Sequence, residues 1–240
     1  MPPRNVVASP QLYARIGGAL YLALIGLGIY LQLVMGRVIV SGDATATAAN
    51  LVAMEAQWRL AVACELLALV CVTALAMIYF VLLRPVNREL NLLATFLRMV
   101  GIAVEVMATL SLATALFPLG SGEYLAAFTP DQLHAMAYLA IKAHGHGYAI
   151  ALLFFGFTFL FHGRLIYRSG YLPTVLGLLI QIAGVAYLVN SFALFLAPSF
   201  QARIFPLILA PAFVAELSLC LWLLARGVNI EQWEARQRAP

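Results

Sequence analysis

The chain has 240 residues, of which 64% are hydrophobic and 10% charged, with a net charge of +4. So apolar a composition excludes a soluble globular domain, whose surface needs far more charge. The basic balance does not point to nucleic acid either, because the Lys and Arg residues sit in small groups at the ends of apolar stretches, where they set membrane orientation.

Six such stretches follow one another, at roughly 13–35, 58–83, 90–117, 147–163, 171–197 and 204–226. A helix rises ~1.5 Å per residue, so ~20 residues cross ~30 Å of hydrocarbon. The fold class read from this is all-α: a polytopic membrane helical bundle with six transmembrane helices, in one membrane domain over residues 1–240. The first stretch is too long for a signal-peptide core, and Ala44-Thr45-Ala46 lies too far beyond it, so this span is expected to be retained.

Between the first two spans, Ser41-Gly42-Asp43 predicts a turn and the following residues a short interfacial helix. The connection 118–146 opens on the breaker cluster PLGSG. Thr129 then predicts an N-cap, with Pro130 at the first helical position and Gln132 at the third. Leu133, Met136, Ala137, Ala140 and Ile141 share one face of this helix, which either lies on the membrane surface or runs straight into span four. RPVNREL and RSGYLP read as tight turns, and the tail IEQWEARQRAP as a short amphipathic surface helix. Tyr13, Trp58, Tyr124, Tyr167, Tyr171 and Trp233 flank spans and are expected as interfacial anchors.

Loop charges predict both termini in the cytoplasm and the protein in the cell's inner (plasma) membrane. On that side lie Arg4, Arg15, Arg84, Arg88, Arg164, Arg168, Arg226, Arg236 and Arg238, against Arg37, Arg59, Lys142 and Arg203 opposite. Cys64, Cys71 and Cys220 all fall inside spans with no metal or redox spacing, and are expected as small buried apolar side chains.

Spans one, three and five share a pattern: Arg15-Ile16-Gly17-Gly18-Ala19-Leu20-Tyr21, Arg98-Met99-Val100-Gly101-Ile102-Ala103-Val104, and Gln181-Ile182-Ala183-Gly184-Val185-Ala186-Tyr187, each 83 residues after the last. The pattern is either three parallel hairpin repeats or coincidence in a small-residue, apolar alphabet.

The motifs ARIGG, LLRPVN, FLRMVG, KAHGHGY and YRSGYLP, with Glu216 inside span six, occur in order over roughly residues 12–227. In these the chain resembles the bacterial domain-of-unknown-function 4386 family of integral membrane proteins. The resemblance implies about six spans and supplies no activity, substrate or cofactor. It also implies acidic residues at two places where this chain has Ala149 and Asn190.

Ionisable and strongly polar groups at membrane depth are costly and mark sites. The candidates for a ligand-binding pocket are Glu65, Arg98, Glu105, His144, His146, Asn190 and Glu216, most of them expected in the outer half of the bilayer, with Glu216 near its middle. The structural alternative is interhelical pairing, with Arg98 bonded to Glu105 or Glu65. His144 and His146 point roughly 200° apart on a regular helix, so together they reach one metal only from an irregular backbone. His134, Asp131 and Glu123 would then complete a weak metal site. His162 is expected at the interface beside Arg164.

Three functions fit. The first is an outer-leaflet polar pocket that binds or moves a lipid or small amphiphile. The second is a metal-dependent membrane-embedded hydrolase. The third is an accessory subunit of a membrane complex. The partners expected are membrane lipids and a small amphiphilic ligand, without nucleic acid. A homo-oligomer is compatible with all three readings, and none but the second calls for a cofactor.

Overall fold

A computed structural model describes residues 9–238, which leaves Arg4 outside the described residues. Nine α-helices are formed among them: α1 Pro10–Val38, α2 Ala44–Ala53, α3 Glu55–Leu83, α4 Arg88–Thr114, α5 Pro130–Ser169, α6 Thr174–Leu196, α7 Pro198–Ile204, α8 Ala210–Ala225 and α9 Ile230–Arg238. Six helical segments are long and apolar enough to cross a membrane: Pro10–Val38, Glu55–Leu83, Arg88–Leu119, Pro130–Ser169, Thr174–Leu196 and Leu207–Ala225. The fold is the helical membrane bundle expected from composition.

Short local signals end the helices. Asp43 caps α2 by accepting from the Ala46 amide at 2.8 Å, and Asn87 caps α4 by accepting from the Leu90 amide at 2.8 Å. Thr129 and Gln132 form a reciprocal capping box at the start of α5. That helix then continues unbroken for 40 residues. The amphipathic segment 130–141 is therefore not a separate surface helix but the first turns of span four. Ala137 and Ile141 pack inside, while Met136 stays exposed.

The six long helices form a closed ring in the order α1, α3, α4, α5, α6, α8, with α8 returning to α1. Each runs opposite to its neighbours. One end, the termini face, carries the start of α1, the turns 84–87 and 170–173, and α9. The far face carries α2, α7 and the connection 115–129.

Small residues set the closest approaches, as membrane helices require. A Cβ on Gly184 of α6 would stand 2.7 Å from the Gly156 carbonyl of α5. A Cβ on Gly18 of α1 would meet Leu224 Cγ at 2.7 Å on α8. Gly101, the third glycine of the repeated pattern, presses on Phe155 of α5, the helix that follows α4. Gly18 and Gly184 instead press on the helix before them in the ring. The three glycines share a spacing and a close-packing role but not a packing partner.

At the termini face, Leu82 lies in the last turn of α3, where a carbonyl has no partner within its own helix. It accepts from the Tyr171 hydroxyl at 2.7 Å and from Trp233 Nε1 at 3.0 Å. Trp58 donates to the Leu112 carbonyl at 3.0 Å at the far face. These three aromatic residues are buried. They pin helices together rather than anchor them at the lipid interface, because each has an unpaired carbonyl to serve. His162 is likewise buried, its ring 5.2 Å from that of Tyr79, and not interfacial. Of the cysteines, Cys220 is buried, and Cys64 and Cys71 are half-buried.

Candidate functional site

The ring of helices does not close over its own axis. A cavity of about 400 Å³ lies inside it, walled mainly by apolar side chains from α1, α3, α5 and α8. Glu65, Arg98, Glu105, His144 and Glu216 all line it, together with Tyr148 and Tyr187. Five of the seven residues singled out in the sequence thus meet in one space.

Arg98 forms the floor. It is 3% exposed, and its guanidinium stands 5.6 Å from the Phe155 ring centre, 5.8 Å from Phe159 and 5.9 Å from Tyr79. The aromatic faces attract the cation, but they leave its in-plane N–H groups unserved. Nε and Nη1 have no hydrogen-bond partner.

Neither glutamate pairs with Arg98; the ion pairs among the described residues are Arg59–Glu55 and Arg238–Glu234, both exposed. The reason is axial distance. Glu105 shares the face of Arg98 but stands seven residues on, ~10 Å along the helix. The Arg98 side chain also leans back toward the start of α4, as helical side chains do.

The carboxyls have partners of their own. The carboxyl groups of Glu65 of α3 and Glu105 of α4 face each other, within reach of a hydrogen bond between them. Such a bond needs a proton on one of them, since a carboxylate carries no donor. Glu216 of α8 accepts from the Tyr187 hydroxyl of α6, with the Tyr21 hydroxyl of α1 beside it. His144 is buried at the upper wall, stacked on Tyr148 at 6.1 Å, and both its ring nitrogens lack a partner.

Two expected site residues lie elsewhere. His146 sits on the outer side of α5, with Nδ1 3.0 Å from the Lys142 carbonyl and its ring against Phe195. The regular helix through 144–146 makes this unavoidable, because two residues turn it ~200°. Asn190 is buried but faces α7, where it accepts from Gln201 Nε2 at 3.1 Å and holds that short helix against α6. The metal-site candidates do not converge. His134 reaches Thr45 Oγ1 at 3.3 Å near the far face, and among the described residues no three His, Cys, Asp or Glu side chains are grouped closely enough to hold an ion.

The family model described as "Domain of unknown function (DUF4386)" matches residues 16–227. The chain belongs to the DUF4386 family. An uncharacterized protein of Archaeoglobus fulgidus is 26% identical to it over 162 residues, covering 67% of this chain and 79% of the relative. No solved structure matches this DUF4386 protein. At the two places where the resemblance implied acidic side chains, it has the buried, close-packed Ala149 and the helix-pinning Asn190.

Sequence reasoning missed the tyrosines. Tyr21 and Tyr187 hold the same place in the repeated pattern of spans one and five, each six residues after the pattern's first residue, Arg15 or Gln181. Both turn toward Glu216. Their shared position was the available signal. The aromatic cage of Arg98 left no such trace, since Tyr79, Phe155 and Phe159 come from two other helices.

Proposed function

We propose that this protein binds a lipid or small amphiphile in the cavity of its bundle, as a multi-pass protein of a bacterial inner membrane with both termini in the cytoplasm. The orientation rests on the basic residues. Arg84, Arg88, Arg164, Arg168, Arg226, Arg236 and Arg238 gather at the termini face, against Arg37, Arg59, Lys142 and Arg203 at the far face. The cavity, whose upper wall is toward the far face, would then serve the outer leaflet.

The observation that carries the reading is a buried Arg98 without a hydrogen-bond partner on the wall of a mainly apolar space of about 400 Å³. Ligand pockets are of this size and kind, apolar with a few polar groups that fix orientation. A purely structural subunit would pair its buried charges internally, and Arg98 is not paired so. A metal-dependent hydrolase would need ligands that the described residues do not bring together.

The test is solvent extraction of the purified protein followed by mass spectrometry. A stoichiometric amphiphile is expected from the wild type and its loss from Arg98→Gln, with folding retained by thermal unfolding. An empty wild type that also fails to take up any added amphiphile would overturn the reading.

A further inference from the structure

We infer, on the basis of the amphiphile reading above, that the cavity selects amphiphiles with an anionic headgroup, seated at Arg98, and admits them sideways from the bilayer between the far halves of α1 and α8.

The route follows from how α1 and α8 diverge. Toward the termini face they are locked. Gly18 abuts Leu224, Cys220 Sγ donates to the Gly18 carbonyl at 3.4 Å, and Gln11 bonds both the Arg226 carbonyl at 2.9 Å and the Val228 amide at 3.0 Å. Ten residues further along α1, a Cβ added at Gly28 would meet nothing within 4 Å. Gly28, Ile29 and Leu33 of α1 and Phe213 of α8 line the cavity. Yet Ile29, Leu33 and Phe213 are also among the large apolar side chains exposed on the outer surface. Side chains that belong to both the inner wall and the outer surface mark the rim of an opening. Apart from Gln32 of α1, which also lines the cavity and is exposed, this rim is apolar, so an acyl chain lying across it gives up little hydration.

The headgroup class follows from what the polar groups have left to offer. Arg98 remains charged whatever the surroundings, and its edge donors are matched to carboxylate and phosphate oxygens. The carboxyls that share the cavity are already engaged: Glu65 with Glu105, and Glu216 with Tyr187. The groups left without a partner are thus the Arg98 cation at the floor and, higher on the wall, the His144 ring. An anion at the floor, with its chain leaving between α1 and α8, satisfies Arg98 and keeps the chain in an apolar medium. Carboxylate and phosphate headgroups share this chemistry.

The test uses the full chain in detergent, titrated with oleate, 1-oleoyl-lysophosphatidate, oleylamine and monoolein and read by native mass spectrometry. Both anions are expected to bind at least ~10-fold more tightly than the amine or the neutral lipid, a modest return for one charge-assisted contact. Arg98→Gln should bring the anions down to the level of monoolein, and Arg98→Lys should keep part of the preference, which also covers the case in which Arg98→Gln fails to fold. Gly28→Trp should weaken both anions ~10-fold or more by filling the rim, while Gly145→Trp, on an exposed stretch of α5, should not. Oleylamine binding as tightly as the anions, or an anion preference that survives Arg98→Gln, would overturn the headgroup assignment. Unchanged binding in Gly28→Trp would overturn the lateral route. If none of the four amphiphiles binds, the amphiphile reading itself falls, a result distinct from either. Oleate without lysophosphatidate, or the reverse, leaves the anion assignment standing and names its source.

Discussion

The two halves of the α1–α8 seam are built from the same pair of helices and behave as opposites. Toward the termini face the seam is closed by a backbone-to-backbone approach at Gly18 and by the side-chain bonds of Gln11 and Cys220. Toward the far face the same two helices part around Gly28, Leu33 and Phe213, and the cavity reaches the outer surface. In a membrane no hydrophobic force draws helices together, so packing depends on local fit and hydrogen bonds. Where the sequence supplies a small residue opposite a backbone, the seam shuts. Where it supplies large side chains without a matching groove, the seam stays open.

The comparison breaks most sharply at Gly18. A Cβ there would stand 2.8 Å from the Leu224 amide nitrogen, which cannot rotate away. Gly18→Val is expected to cost about 3 kcal/mol, the upper range for overpacking a tight core, and thermal unfolding of the purified protein measures it. A loss well under 1 kcal/mol would mean that the termini half of the seam is not held by close approach.

The next largest effect concerns the doubly served Leu82 carbonyl. Tyr171→Phe or Trp233→Phe each removes one donor and leaves the other, so each should cost about 1 kcal/mol or less. The double variant leaves a buried carbonyl unpaired and should cost more than the two losses added together. A double-mutant cycle with purely additive losses would show that the two donors act independently.

Arg98→Met should be smaller still, and its sign is informative. Arg98 has no ion-pair partner to lose, and its aromatic cage accepts a flexible apolar side chain. Replacing an unpaired buried charge with an apolar side chain is neutral or stabilising. The ligand-free protein should therefore unfold at the same temperature or higher. A marked destabilisation would mean that the cation is paired within the fold.

How much of this was legible in the sequence depends on the range over which each signal acts. Span length and apolar content are local, and all six spans were placed within a few residues at most ends, α5 excepted. Its start at Pro130 was visible in Thr129 and Gln132, but whether the helix would bend at Gly145 and Gly147 depends on α4, where Gly147 packs on Ala108. The depth of Glu65, Arg98, Glu105 and Glu216 was likewise countable from span ends, so their convergence was foreseeable. Their pairing was not. Whether Arg98 meets Glu105 turns on ~10 Å of axial separation and the lean of one side chain. Asn190 shows the same limit, since its partner Gln201 lies beyond a turn whose return path no local pattern fixes.

The finest test sets one substitution at two positions ten residues apart on one helix. Gly18→Leu must push against Leu224 and the α8 backbone, whereas Gly28→Leu enters a space with no atom within 4 Å of the new Cβ. A glycine inside a helix costs ~1 kcal/mol of propensity relative to a good helix former, so Gly28→Leu gains that term and loses no packing. Its stability should hold or rise by up to ~1 kcal/mol, while Gly18→Leu should lose about 3 kcal/mol, as an overpacked site does. The same pair separates stability from access. Gly28→Leu should slow uptake of an added amphiphile because its side chain extends into the rim, at a position where folding is indifferent. Comparable destabilisation at both positions would mean that α1 and α8 are packed along their whole length, and that the seam has no opening.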